Sequence, residues 1–332
     1  MTAKAITAYD LIIGLPIAAA TGPDAPATTA AIKANFAGPH TWTADDQPYS
    51  LGIDNVGVAA QPVGALFDYL LTMSGDMPAD RKMLFRSKEI GILGIGMNTV
   101  DLLVTQSGAP VESLTGSDTA GVRRLLELSN PGNLYTTAQL DDQLRAGTLD
   151  TTISLQVWQR EVMNLIEATW GKYFKRFAAV ICTGGGSILL RDALLKRFNG
   201  KSWTPDDPVM STTRGLYKYA LSKPNAAATL AFDAGYGAIK LWGSRGGLLL
   251  QSAVATNGTR ALGKVAGLKA VTRPPHITNA LGSFYVGKGA HNFGRPVQGM
   301  DFDRLSGSPE IKALFHGALT QYLSLSNGRG QG

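Results

Sequence analysis

The chain is poor in the groups that most often carry chemistry by themselves. It holds one cysteine, Cys182, and four histidines among 332 residues. A lone cysteine inside an apolar run excludes a disulfide framework and fits a reducing compartment. It reads as inert core, because no histidine stands near it in the sequence to activate it. His276, His291 and His316 sit at no ligand spacing, which argues against a zinc-type site. Long apolar runs are absent as well: the best candidate, residues 11–20, is interrupted by Gly14 and Pro16 and falls short of the roughly 20 residues a membrane helix needs. The start of the chain does not follow signal-peptide order, so a cytoplasmic protein with no membrane partner is expected. Charged residues make up only 17% against 44% hydrophobic, enough apolar material for two packed lobes. Acids are scarce toward the end: residues 211–332 hold fourteen Lys and Arg against four Asp and Glu, a local +10 that leaves −4 for the remainder. No aromatic-interleaved basic motif or helix-turn-helix signature accompanies that excess, so direct nucleic-acid binding is not expected, and a basic face meeting an acidic face of another copy is.

What the sequence does have is glycine, at three places where an apolar strand ends. Residues 230–242, LAFDAGYGAIKLW, read as two strands joined by a tight turn, with Asp233, Gly235, Tyr236, Gly237 and Lys240 at or beside it. Glycines there permit positive φ and remove Cβ atoms, so successive backbone N–H groups can close on an anion. Asp233 can hold a hydrated magnesium ion and Lys240 can reach phosphate oxygens; the plain alternative is a glycine hairpin with a solvated lysine. Residues 88–104, KEIGILGIGMNTVDLLV, repeat the pattern with Gly94, Gly96, Met97, Asn98, Thr99 and Asp101. Residues 178–194, AAVICTGGGSILLRDAL, run a strand into Gly184, Gly185 and Gly186 and then into a helix. The triple glycine lets a base or ribose approach the backbone, and Ser187 can cap the helix.

Taken together these motifs resemble the actin-like ATPases, and within them the plasmid-segregating and archaeal actins of ParM type. The resemblance implies an α/β protein of two lobes, each a mixed β-sheet flanked by helices, with ATP or GTP and Mg2+ in the cleft between them. It places phosphates on the hairpins at 233–240 and 94–99, adenosine against Gly184–Ser187, and the metal near Asp233. In that family the Asp233-type hairpin opens the chain, whereas here it follows the other two motifs. Residues 211–221, STTRGLYKYAL, look like the family's C-terminal helix and lead straight into it, so the chain reads as circularly permuted, which is tolerated when old termini lie close together. Gln61, at a strand-to-helix corner in residues 56–71, stands where the family carries the Gln or Glu that positions the attacking water; neutral glutamine orients rather than abstracts. Its alternative role is helix capping. The family's second hairpin reads Asp-x-Gly-x-x-Thr-x-Asp, and Gly94 replaces its leading acid. That departure implies slow hydrolysis, with Asp101 either a compensating acid or a partner of backbone donors.

The expected organisation is first-lobe core over 1–90, second lobe over 91–205 with an outer part at 107–151, a return to the first lobe over 206–242, an outer subdomain over 243–323, and a disordered tail from 324. Expected elements include a strand at 9–16 preceded by a disordered start or strand extension, a helix at 28–36, short strands within 42–55, and an exposed loop at 74–88. Further helices are expected at 118–129, 137–145, 154–175, 189–198 and 308–323, with an exposed β-hairpin at 243–257 and a loop-rich stretch over 258–305. Arg160 and Glu161 are candidates for base or ribose contacts, or simply an exposed charged face. The resemblance implies a protein that polymerises with itself under ATP control, hydrolyses ATP to turn filaments over, and moves plasmid or phage DNA through a DNA-binding adaptor. The alternatives are a small-molecule kinase or Hsp70-like ATPase of the same fold, or a filament protein that binds nucleotide and hydrolyses it poorly.

Overall fold

The computed structural model describes residues 8–224, 226–256, 272–297 and 307–325. The expectations for residues 1–7, for 257 of the hairpin at 243–257, for 258–271 and 298–305 of the loop-rich stretch, and for the tail from 326 fall outside them. The chain divides into two compact units, Met1–Ile13, Pro23–Val58 and Ala227–Gly332 in the first, Gly14–Gly22 and Ala59–Ala226 in the second.

Strands β1 (Tyr9–Leu15), β2 (Gly38–Ala44) and β3 (Gln47–Ala60) enclose helices α1 (Ile17–Thr21) and α2 (Ala25–Phe36). Helices α3 (Gln61–Leu70) and α4 (Ala79–Ser87) precede β4 (Glu89–Ile95), β5 (Val100–Gln106), β6 (Ala109–Pro110) and β7 (Gly116–Asp118). Next come α5 (Val122–Leu128), α6 (Thr137–Arg145), α7 (Thr152–Trp170), β8 (Ala179–Thr183), α8 (Gly185–Leu189), α9 (Arg191–Arg197), β9 (Ser202–Trp203) and α10 (Ser211–Leu221). The last part holds β10 (Thr229–Ala234), β11 (Ala238–Gly243), β12 (Gly246–Gln251), β13 (Val254–Thr256), β14 (His276–Asn279), β15 (Gly282–Val286), β16 (Arg295–Pro296) and α11 (Pro309–Ser324).

The second unit is built on the sheet β6-β5-β4-β8-β9, with β7 on the flank of β5. Its first three strands are antiparallel, and β8 and β9 run parallel to β4. Strand β4 is apolar almost throughout because helices cover both its faces: α3 and α4 pack on one side with Ile90, Ile92 and Leu103, and α7 on the other with Leu93, Ile95 and Leu102. The stripe Trp158, Val162, Ile166 and Trp170 repeats every four residues, so α7 turns one face inward and buries it completely. In the first unit the sheet runs β12-β11-β10-β1-β3-β2-β14-β15-β13-β16. Helix α11 lies across it, with Phe315 packed edge-on against Phe36 and Phe232 at 5.1 and 5.0 Å between ring centroids. Each sheet carries a glycine hairpin whose second strand pairs onward with the next strand of the sequence and whose first strand is flanked on its other side by strands from elsewhere in the chain: β6-β5-β4-β8-β9 in one, β12-β11-β10-β1-β3 within the other. In the second unit the flanking strands β8 and β9 follow the hairpin in the sequence, whereas in the first unit β1 and β3 precede it.

Several local expectations change. Residues 74–88 are not all loop: Ala79–Ser87 is helical, since Lys, Arg, Met and Leu favour helix even though no residue of it is fully buried. The helix expected from 118 begins at Val122, because Ser117 and Asp118 pair with β5. The stretch 243–257 is not one hairpin; β12 pairs back on β11 and β13 pairs with β15. The short strands expected over 42–55 are two long ones, joined at Asp45 and Asp46, both of left-handed φ.

Helices α3 and α10 meet closely. A Cβ on Gly215 would fall 1.8 Å from the Gly64 carbonyl oxygen, and one on Gly64 would fall 2.4 Å from that of Thr212, so only glycine permits this approach. Beside the crossing, the buried Asp68 carboxylate accepts hydrogen bonds from Ser211 Oγ at 2.7 Å, from Arg214 Nε at 2.8 Å and from Lys218 Nζ at 2.8 Å. A buried carboxylate held this way tolerates burial because each lone pair finds a donor.

Candidate functional site

In the first unit, Asp233 is the last residue but one of β10, and the chain reverses at 235–237 into β11. Asp233 and Lys240 face each other across the ladder, and Lys240 Nζ donates to Asp233 Oδ2 at 2.7 Å. Opposed residues of an antiparallel pair share a face, so the register that closes this hairpin also sets the cation on the carboxylate. The Asp233 side chain is 2% exposed and that of Lys240 17%, which shields the pair from water and strengthens it. Lys240 Nζ also lies 3.5 Å from where a Cβ on Gly235 would stand, so the ammonium hangs over the turn. Gly235 does not adopt the left-handed φ expected of it. It is required because a Cβ there would fall 2.7 Å from the Ala238 carbonyl oxygen. Ser252, which the sequence did not single out, braces the turn: its Oγ donates to Gly235 O at 2.7 Å and its N–H to Gly237 O at 3.1 Å. Tyr236, at the tip, is half-exposed.

In the second unit, the β4–β5 hairpin closes with Gly96 N–H on Thr99 O at 2.9 Å. The carbonyls of Gly96, Met97 and Asn98 accept the N–H groups of Val122, Arg123 and Gly121 at the start of α5. The turn therefore directs three carbonyls toward α5, which suits a site meant to present N–H groups to an anion. Gly94 pairs across the ladder with Asp101. A Cβ on Gly94 would lie 3.9 Å from the Asp101 Cβ and 3.9 Å from Thr183 Oγ1, so the Asp101 carboxyl grows from the same patch of sheet that an acid at position 94 would use. Asp101 is buried and its Oδ2 accepts from Thr99 Oγ1 at 2.8 Å.

The triple glycine joins this hairpin. Gly184 has φ +84°, and a Cβ on it would fall 2.3 Å from the Ile95 carbonyl oxygen; one on Gly186 would fall 2.1 Å from Ile95 Cγ2. Two of the three glycines thus let the start of α8 press onto the end of β4. Ser187 is not an N-cap. The helix already starts at Gly185, and Ser187, fully buried, donates its Oγ–H back to the Gly184 carbonyl at 2.7 Å. Cys182, beneath it in β8, is buried and its thiol is pushed up to about 12 by burial, which leaves it unreactive. Gln61 is the first residue of α3, and its side chain lies 3.4 Å from where a Cβ on Gly14 would stand. Glu161 accepts two hydrogen bonds from Arg124, at 3.0 and 2.9 Å, which holds it in a surface ion pair.

No family model matches the sequence, and no curated protein does either. Among solved structures, the actin-like protein Alp7A is similar with a TM-score of 0.53 and 13% identity over 64% of this chain and 66% of that one. The ParM protein of pSK41, in its apo form, is similar with a TM-score of 0.46 and 21% identity over 64% of this chain and 63% of that one. The archaeal actin homologue Ta0583 in complex with ADP is similar with a TM-score of 0.49 and 20% identity over 62% of this chain and 70% of that one. The matched region spans about two thirds of the Alp7A chain and slightly less of the pSK41 protein. Among the described residues no helix is long and apolar enough to cross a membrane. Two sheets that each carry a glycine-turned hairpin, and the likeness to Alp7A, give this chain the actin-like fold, a mixed α/β fold.

Proposed function

We propose that the chain is an actin-like nucleotide-binding protein that assembles with copies of itself, and that all three glycine motifs serve one Mg2+–ATP. The observation that carries this reading is the glycine-turned hairpin repeated at the same place in both sheets, with Asp233 beside one turn and Asp101 beside the other, a duplication that no single hairpin would need. Lys240 would exchange its Asp233 partner for phosphate oxygens, leaving Asp233 to the water shell of the metal. The Asp233 carboxylate and the neighbouring turn, closed by Ser252, fit that role by their chemistry and position. The ion itself, when bound, neutralises phosphate charge. The second hairpin would present its turn amides with Thr99 and Asn98, Gly184–Ser187 would leave room for the adenosine, and Gln61 would orient a water. Asp101 would take over from the acid missing at Gly94, and hydrolysis would be slow.

The flanking strands that follow one hairpin in the sequence but precede the other support a circular permutation, in which a chain beginning at β10 was joined end to start and reopened before β1. Filaments that turn over with ATP and carry plasmid or phage DNA through an adaptor are the role that fits this reading. Titration with a fluorescent ATP analogue and Mg2+ tests it: the wild type should bind, and Lys240→Ala should bind at least about tenfold more weakly, the cost of one charge-assisted phosphate contact. A wild type that does not bind, or a variant that binds equally, overturns the assignment.

A further inference from the structure

We infer that the two ends of α7 form the two halves of a head-to-tail contact between copies of this chain; the inference rests on the self-assembly proposed above and names its surfaces. Helix α7 has 19 residues, a length of about 28 Å, and joins two patches of the second unit. At its first turn stands Ile153, 79% exposed, and in the loop tied to that turn stand Leu134, 80% exposed, and Tyr135; Leu134 and Ile153 are the most exposed large apolar side chains among the described residues. They are held in place rather than loosely displayed. Asn130 Oδ1 accepts from the Leu134 N–H at 3.0 Å, Asn130 Nδ2 donates to Tyr135 O at 2.9 Å, and Ser129 Oγ and Ser154 Oγ are 2.6 Å apart, which ties the loop to α7.

Beyond the last turn of α7 the surface changes sign. Residues 171–201 carry seven Lys and Arg against one Asp, a net +6, whereas residues 107–155 carry three against six, a net −3. The cations are gathered by the fold. Lys201 Nζ donates to the carbonyls of Lys175 and Phe177 at 2.7 and 2.9 Å, and Arg197 donates to Gly171 O at 3.1 Å, which draws α9 against the end of α7. Arg176 and Arg197 are paired with Glu89 and Glu167, while Lys172, Lys175 and Lys196 lie exposed beside Tyr173 and Leu195, which are 46% and 50% exposed.

The helix macrodipole accounts for an acid near the start of α7 and a lysine past its end. It gives no reason to hold Leu134 on its tethered loop and Ile153 on the helix in water. Cations alone would suit a nucleic acid, but half-exposed Leu195 and Tyr173, matched by an apolar tip of opposite local charge, favour a protein surface, and the complement is carried by the same chain. Two different patches at opposite ends of one rigid helix make a heterologous contact, which repeats without closing and yields an open polymer.

The test uses two variants of the full chain: Leu134→Asp with Ile153→Asp at the tip, and Lys172→Glu with Lys175→Glu at the base. All four positions are exposed, and an acid in the first turn of α7 agrees with its dipole, so thermal melts should match the wild type. In sedimentation with Mg2+–ATP, each variant alone should raise the critical concentration at least tenfold, while an equimolar mixture, in which each supplies the intact half the other lacks, should give a dimer. Variants that bind nucleotide and polymerise like the wild type overturn this inference and leave the filament reading standing. A wild type that stays monomeric with every nucleotide overturns both. A base variant that loses binding to a DNA duplex but still polymerises assigns the cations to nucleic acid and overturns it as well.

Discussion

Protonating the buried histidine pair of the first unit should unfold it from the acid side. His40 and His316, far apart in sequence, lie with Nδ1 of the first 3.2 Å from Nε2 of the second. His40 Nε2 is 2.9 Å from the Phe36 carbonyl, which can only accept, so Nε2 carries the hydrogen and Nδ1 is the acceptor. His316 must then donate from Nε2 and accept at Nδ1 from Asn279 Nδ2, 3.2 Å away. Both rings are neutral with every nitrogen used, and Trp42 stacks on His316 at 4.7 Å. A proton on either ring removes an acceptor and sets a cation near Lys312. Burial, with the neighbouring His40 and Lys312, pushes His316 down to about 3, and burial lowers His40 too. Because the folded value is depressed for a base, its stabilising effect is complete above about pH 6.5 and is lost as pH falls toward 3. Between pH 7 and pH 5 the unfolded chain takes up a proton at this site and the folded chain does not, a loss of about 2 kcal/mol, rising to about 4 kcal/mol at pH 3. Urea unfolding at pH 7 and pH 5 measures it against His316→Gln, which cannot titrate. The wild type should lose about 2 kcal/mol more than the variant over that interval. Equal losses would refute the reasoning.

Two further outcomes follow from the second unit. Asp68→Asn leaves Arg214 and Lys218 facing a neutral amide in a buried site, so it should cost about 3–5 kcal/mol in urea unfolding; a loss under about 1 kcal/mol would mean that water already screens the cluster. Gly94→Asp meets no atom closer than 3.9 Å at its Cβ, so it should fold. It sets a second carboxylate beside Asp101, and should lower stability by about 1–2 kcal/mol without metal while reducing the Mg2+ concentration needed for ATP binding several-fold. An unchanged Mg2+ requirement would remove Asp101 and position 94 from the metal's surroundings.

Much of the fold was legible where the signal is local. The helices Thr137–Arg145 and Ser211–Leu221 begin and end where their sequence patterns place them; the first starts at a capping box between Thr136 and Gln139, which is readable in four residues. The hairpins at 94–99 and 233–240 were visible because apolar strands around a glycine pair have few other foldings. Helix Ala79–Ser87 was hidden because it has no buried stripe to give a period. The His40–His316 pair and the Asp68 cluster were hidden for a different reason: their partners come from distant segments, and nothing near them in the sequence marks the match. Glycine was read correctly at the turns but for partly the wrong cause. At Gly235 and Gly186 it is the absent Cβ that matters, and of these motifs only Gly184 uses a left-handed backbone that the structure records.

A crystal structure with Mg2+ and ADP tests the central claim most directly. The account predicts phosphate density against the turns at 235–237 and 96–99, with Lys240 moved from Asp233 to a phosphate oxygen and the adenosine against Gly184–Ser187. Nucleotide bound by residues of only one unit, or Lys240 still paired with Asp233 beside a bound phosphate, would contradict it.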